Sequence, residues 1–302
     1  MRSTLQNLFS LLLTIAGVIL LLTPPARSQT ATAPTRFSLV VEGPASGPPV
    51  LLLPGLSSGR EVYDAEAKLL VASYRLYRVQ INGFAGQPAG PNASGPLLAP
   101  IVEELHQYLA ANRLHPAVIG HSLGGLLGLM LAQAHPEDVR KLLIIDALPF
   151  YALVFNPQAT VEMVTPQAKA MREQMLSLSD QAMGAQSAQT AAYLVKNPEG
   201  QKIVAKESQT SDRAVMANAM YEDLTTDLRP LLPGIKTPTT LLYPFDATAV
   251  GPDPTRIDAV YTDAFRSMPH LTMHRIDDSR HFIMFDQPAA FDRQVQSFLQ
   301  ER

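Results

Sequence analysis

Two hydrophobic rhythms alternate along the chain. Short apolar runs ending at Gly, Pro or Asp give way to longer stretches spaced for one helical face. Arg36–Gly43 (RFSLVVEG) alternates and is rich in β-formers, which predicts a strand. Pro48–Gly55 (PPVLLLPG) is apolar almost throughout and closes on Pro-Gly, as a strand buried on both faces does. Tyr74–Ile81, Pro116–Gly120 and Lys141–Asp146 read as further strands, and Ile101–Asn112 and Leu123–His135 as helices. Strands alternating with helices predict an α/β fold, a mostly parallel sheet with helices on both faces.

The alternation stops near Pro149 and resumes near Pro238. The segment between them has helical windows, Gln167–Leu178 and Ala214–Leu228 among them, is punctuated by prolines, and carries six of the eleven methionines. This predicts a helical cap over residues 149–234, inserted into an α/β core made of 37–148 and 235–302. The sheet pattern returns at Pro238–Asp246, followed by a helix near Ile257–Met268, a strand at Leu271–Asp277 and a last helix at Ala289–Gln300.

The first residues change the picture of where the protein works. Arg2 precedes an uncharged apolar run, Leu8–Leu22, and Pro24 and Pro25 precede the small-residue site Ala26-Arg27-Ser28. This predicts a signal peptide over 1–28 and a linker over 29–36, hence a periplasmic or secreted protein. An uncleaved membrane anchor is the alternative, but the run is shorter than the ~20 residues a span needs. The mature chain is not expected to insert stably in a membrane.

Apolar residues make up 46% and charged residues 17%, enough for a sizeable core. A net charge of −3 without a basic patch argues against nucleic acid as a partner and for a small-molecule substrate. The absence of cysteine excludes disulfides, a thiolate nucleophile and a Cys-based zinc site. No metal-ligand spacing and no Gly-rich phosphate loop appears, so neither metal nor cofactor is expected.

The candidate chemistry begins at Gly120-His121-Ser122-Leu123-Gly124. It matches G-x-S-x-G and falls between a predicted strand and a predicted helix. On such a turn a serine is held exposed above the sheet, and its crowded flanks require residues without bulk. The helix N-terminus that follows favours developing negative charge.

With LLLPGL before the first tight loop, GHSLGG at the turn, a helical insertion, a late DSRHF and a terminal helix, the chain resembles the α/β-hydrolase fold superfamily over about residues 36–302. A serine nucleophile needs a base, usually a histidine oriented by a carboxylate. Of the seven histidines, His281, just past the last strand, stands where the resemblance puts the base. His121 is expected to be structural and to point away from Ser122; His106, His115 and His135 are expected to be solvated. For the acid, Asp246 follows the strand where the family usually places it, and Asp146 follows the strand where some members do; Asp246 is the expected acid and Asp146 the alternative. The resemblance implies an oxyanion hole from the N–H groups of Leu56 and Leu123.

A serine at the turn argues against dehalogenase and epoxide-hydrolase chemistry, which uses aspartate there, and suits attack on a carbonyl. The expected activity is hydrolysis of a small, mostly apolar carboxylic ester or lactone through an acyl-enzyme, with Phe84, Phe150 and Phe282 as candidate pocket residues. A C–C bond hydrolase and a non-catalytic ligand-binding protein on the same fold are the alternatives.

Overall fold

The computed structural model describes residues 33–301, so the expected signal peptide and the first half of the linker lie outside the described residues. The strands are β1 (Phe37–Glu42), β2 (Pro49–Leu53), β3 (Arg75–Ile81), β4 (Ala117–His121), β5 (Lys141–Ile145), β6 (Thr239–Phe245) and β7 (Leu271–Asp277). The helices are α1 (Asp64–Leu70), α2 (Leu98–Asn112), α3 (Leu123–Ala134), α4 (Val161–Ser177), α5 (Asp180–Leu194), α6 (Pro198–Thr210), α7 (Arg213–Thr225), α8 (Ala247–Val250), α9 (Thr255–Phe265), α10 (Ile283–Asp286) and α11 (Pro288–Gln300).

The strands form one seven-stranded sheet in the order β1-β3-β2-β4-β5-β6-β7. Only β1 runs antiparallel, pairing with β3; every other pair is parallel. The central strands β4 and β5 are buried at every position, as their apolar runs AVIG and LLII require, and His121 and Lys141 at their ends are buried with them. One cluster of side chains, including Leu51, Leu53, Val118 and Ile144, fills one face of the sheet against α2, α3 and α9. A second, including Leu52, Ile119, Leu143 and Phe298, fills the other against α1 and α11. Side chains of successive strand residues point to opposite faces, so each strand feeds both layers.

Four helices, α4 to α7, fill the predicted insertion. Two of them, α5 and α6, lie outside the helical windows read from sequence. The prolines misled there: Pro198 sits in the first turn of α6, where its missing N–H is no loss, behind the Asn197 cap. Helix α1 shows no helical period in the sequence, its seven residues being too few.

Beneath the sheet, Glu66 is 3% exposed and both carboxylate oxygens lack a partner among the described residues. Burial, then the charges of Asp292 and Asp64, push its carboxyl up to about 7. A raised carboxyl makes stability greatest below the ordinary carboxylate range, about 4.3, and erodes it as pH climbs toward 7. Glu66→Gln is therefore expected to gain about 3 kcal/mol over wild type between pH 5 and pH 8. Thermal unfolding of both proteins across that range checks this; a pH-independent difference contradicts it.

Candidate active site

The turn between β4 and α3 is built by contact. A Cβ on Gly120 would run into the Gly124 carbonyl, and one on Gly124 into the carbonyls of Leu53 and Pro54. Gly125 lies so close to the sheet that a Cβ would meet Ala147 at 2.8 Å. Ser122, between these glycines, takes φ 53° and ψ −122°, a conformation that L-residues rarely adopt. Its N–H donates to the Ile145 carbonyl at 2.9 Å, and its carbonyl accepts from Gly125 and Leu126, so the strain is held from both sides. The loop after β2 packs on the same spot, since a Cβ on Gly55 would stand 3.1 Å from Ser122 Cβ. Among the described residues, neither the Leu56 nor the Leu123 N–H is engaged in a hydrogen bond. Both expected oxyanion donors are thus free, one on each side of Ser122 in sequence space and brought together by the Gly55 contact.

The loop after β7 carries His281 and is docked on the residue before Ser122. The rings of His121 and His281 lie 4.6 Å apart, and His121 Nε2 donates to the His281 carbonyl at 3.0 Å. Burial, then His281, holds His121 well below the usual histidine range, so it stays neutral and the Nε2–H tautomer makes this bond. His121 is structural, as expected, and its structural task is to seat the histidine loop.

The carboxylate that meets His281 is Asp146, with His281 Nδ1 donating to Oδ2 at 2.6 Å. The Tyr261 hydroxyl donates to the other oxygen, Oδ1. Tyr261 in turn stacks on Tyr243, with ring centres 4.5 Å apart. Asp146 reaches this position from φ 46°, the left-handed region that aspartate tolerates better than most residues. Nothing in the sequence singled out Tyr261 beyond an aromatic on a predicted helix.

Asp246, the expected acid, is a correction. It ends β6 and caps α8, accepting from the Thr248 hydroxyl at 2.8 Å, from Arg280 Nε at 2.8 Å and from Lys196 Nζ at 3.1 Å. Burial opposes its charge, but the bonds from Arg280, Thr248 and Lys196 outweigh that and hold its carboxyl well below the usual range. With both oxygens so occupied, it does not serve His281. Instead it ties the end of α5, through Lys196, to the histidine loop, through Arg280. Asp286 reinforces the clasp, accepting the N–H groups of Lys196, Asn197 and Arg280 at 2.9 Å each.

The pocket phenylalanines are a second correction. Phe84 and Phe150 are both 0% exposed inside the core, so neither presents a surface to a ligand. Phe282 braces the site from below, its ring 4.6 Å from His121 and 5.6 Å from Phe285.

His106, His135 and Asp138 gather at the far end of α3, about 18 Å along that twelve-residue helix from Ser122. The two imidazoles stack at 3.7 Å and His106 Nδ1 is bonded to Asp138 at 2.7 Å. Parallel rings set their lone pairs side by side rather than converging on one ion.

A seven-stranded sheet with a strained serine at its C-terminal edge and a carboxylate-bound histidine docked beside it defines a hydrolase class of α/β protein. The alpha/beta hydrolase family model matches residues 50–294, and the chain belongs to that family. It is 27% identical over 267 residues to the pimeloyl-[acyl-carrier protein] methyl ester esterase of Vibrio atlanticus (strain LGP32), covering 84% of this chain and 95% of that protein. Two solved structures share the fold: a hydrolase from Pseudomonas aeruginosa PA01 (TM-score 0.71, 20% identity, 88% of this chain and 94% of that one) and the enol-lactonase from Burkholderia xenovorans LB400 (TM-score 0.69, 17% identity, 88% and 96%).

Proposed function

We propose that the protein is a serine esterase or lactonase that works through an acyl-enzyme on Ser122. The observation that carries this reading is the His281–Asp146 pair, docked through His121 on the strained serine turn. Ser122 Oγ attacks the substrate carbonyl while His281 Nε2 takes its proton. Asp146 keeps the Nδ1–H tautomer and balances the imidazolium that forms. The N–H groups of Leu56 and Leu123 receive the oxyanion at the positive end of α3. Collapse of the tetrahedral adduct releases the alcohol, which takes the proton from His281. Water, deprotonated by His281, then attacks the acyl carbonyl, and the acid leaves as Ser122 regains its proton. The likeness to a methyl ester esterase supports a carboxylic ester as substrate.

The test is a fluorophosphonate probe together with a screen of p-nitrophenyl esters and lactones of graded acyl length. Labelling of Ser122 and turnover of the esters are expected; an unlabelled protein that binds but turns over nothing would be a binding protein on this fold. Export to the periplasm or medium is part of the same proposal, and the N-terminal residue of the mature protein tests it.

A further inference from the structure

Helix α7 crosses the edge of the sheet that carries the chemistry. At one end, Asp212 N–H donates to the Gly83 carbonyl at 2.7 Å, and Val215 packs so tightly that a Cβ on Gly83 would meet it at 2.6 Å. Gly83 follows β3. At the other end α7 packs against the turn Tyr151–Val154, which follows β5 and Asp146, and just beyond it Leu228 N–H donates to the Pro149 carbonyl at 2.8 Å. In the sheet, β2 and β4 lie between β3 and β5. Their loops hold Leu56 and Ser122, so α7 spans the expected oxyanion hole and nucleophile.

Two adjacent carboxylates on α7 have opposite fates. Glu222 accepts the N–H groups of Leu97 and Leu98 at 2.7 and 2.8 Å, satisfying orphan donors at the start of α2. Asp223 is 8% exposed, and among the described residues it has neither a hydrogen bond nor an ion pair. It continues the buried stripe of Met216 and Ala219, at i, i+3 and i+7 of one helix face. It lies close enough to His281 for their charges to interact, and close enough to Tyr151 to act on its phenol. The Tyr151 hydroxyl is likewise without a partner among the described residues. Burial pushes the Asp223 carboxyl up to about 7, partly offset by His281. The Glu66 oxygens are sealed in the core, whereas the small exposed part of Asp223 includes its carboxyl oxygens, so this carboxyl opens on space beside His281 and can take a partner there.

Resting on the serine hydrolase reading above, we propose that Asp223 determines specificity: its carboxyl accepts a hydrogen bond from a hydroxyl or amide N–H on the acyl part of the substrate. The substrate class is then an ester or lactone whose acyl chain is apolar but for one donor near the reacting carbonyl. Asp146 already occupies His281 Nδ1, so Asp223 has no place in the triad. Either protonation state keeps a carboxyl oxygen as acceptor.

The test compares p-nitrophenyl butyrate with p-nitrophenyl 3-hydroxybutyrate, which share a leaving group and differ by one hydroxyl. Wild type is expected to favour the hydroxy ester in kcat/KM by about 10- to 100-fold, the range of a hydrogen bond to a charged group. Asp223→Leu, with Asp223→Ala as the smaller change should leucine prevent folding, is expected to abolish or invert that ratio. An equal loss on both esters, no preference in wild type, or a preference for the 3-oxobutyrate ester overturns the proposal. Fluorophosphonate labelling separates the two readings: a labelled, active enzyme without the preference defeats only the role of Asp223, whereas an unlabelled protein defeats the serine hydrolase reading beneath it.

Discussion

Asp146→Asn is expected to lower kcat by about four orders of magnitude while leaving KM within a few-fold, the cost of presenting histidine in the wrong tautomer. In the folded protein Asp146 accepts His281 Nδ1–H at 2.6 Å and the Tyr261 hydroxyl on its other oxygen. An asparagine that keeps its carbonyl toward Tyr261 turns its NH₂ toward His281 and forces the proton onto Nε2, where the base function is lost. An asparagine flipped the other way keeps the tautomer but gives up the charge that stabilises the imidazolium. Asp246→Asn is expected to change kcat by less than about tenfold, because its bonds go to Arg280, Lys196 and Thr248. Its loss should appear in stability, about 2 kcal/mol, between the ranges for exposed and buried ion pairs, since both cations are partly solvated. A depressed carboxyl contributes its stability above the ordinary range, so the defect should be full at pH 7 and shrink as pH falls below about 4. Steady-state kinetics and thermal unfolding of the two variants decide between the carboxylates; a large kcat loss in Asp246→Asn with a mild one in Asp146→Asn reverses the assignment.

Ser122→Ala is expected to abolish fluorophosphonate labelling and to reduce kcat by about 10⁶-fold, the scale seen when a serine nucleophile is removed and only binding and oxyanion donors remain. The fold should survive, because the turn is held by main-chain bonds from Ser122 to Ile145, Gly125 and Leu126 rather than by its hydroxyl. Stability should stay close to wild type, since alanine must take the same positive φ that serine takes. Turnover near wild type in this variant would remove Ser122 from the mechanism.

Much of the fold was legible because the central strands advertise themselves. VLLL in β2, AVIG in β4 and LLII in β5 are apolar without interruption, and a strand buried on both faces has no polar face to show. The serine turn was legible for a related reason. Gly120, Gly124 and Gly125 stand where backbone or side chains approach too closely for a Cβ, and such a steric demand is written locally. Helix α5 was not legible, because its faces are set by packing against α6 rather than by a strong apolar stripe; α6 does carry such a stripe, but Pro198 at its first turn hides its start.

The acid is the instructive failure. Asp146 and Asp246 each end a parallel strand, and these strands are neighbours in the sheet. Locally they are equivalent, so no pattern of residues along the chain separates them. What separates them is where the loop after β7 is held. The His121 ring and its Nε2–H seat that loop from one side, and the end of α5 clasps it from the other through Asp286, Lys196 and the Ala192 carbonyl. In that position His281 faces Asp146, while Arg280, one residue earlier, faces Asp246. The local sequence therefore specified the proposed nucleophile, the proposed base and two eligible carboxylates. The choice between the carboxylates came from contacts between residues tens to more than a hundred positions apart, which no local periodicity encodes.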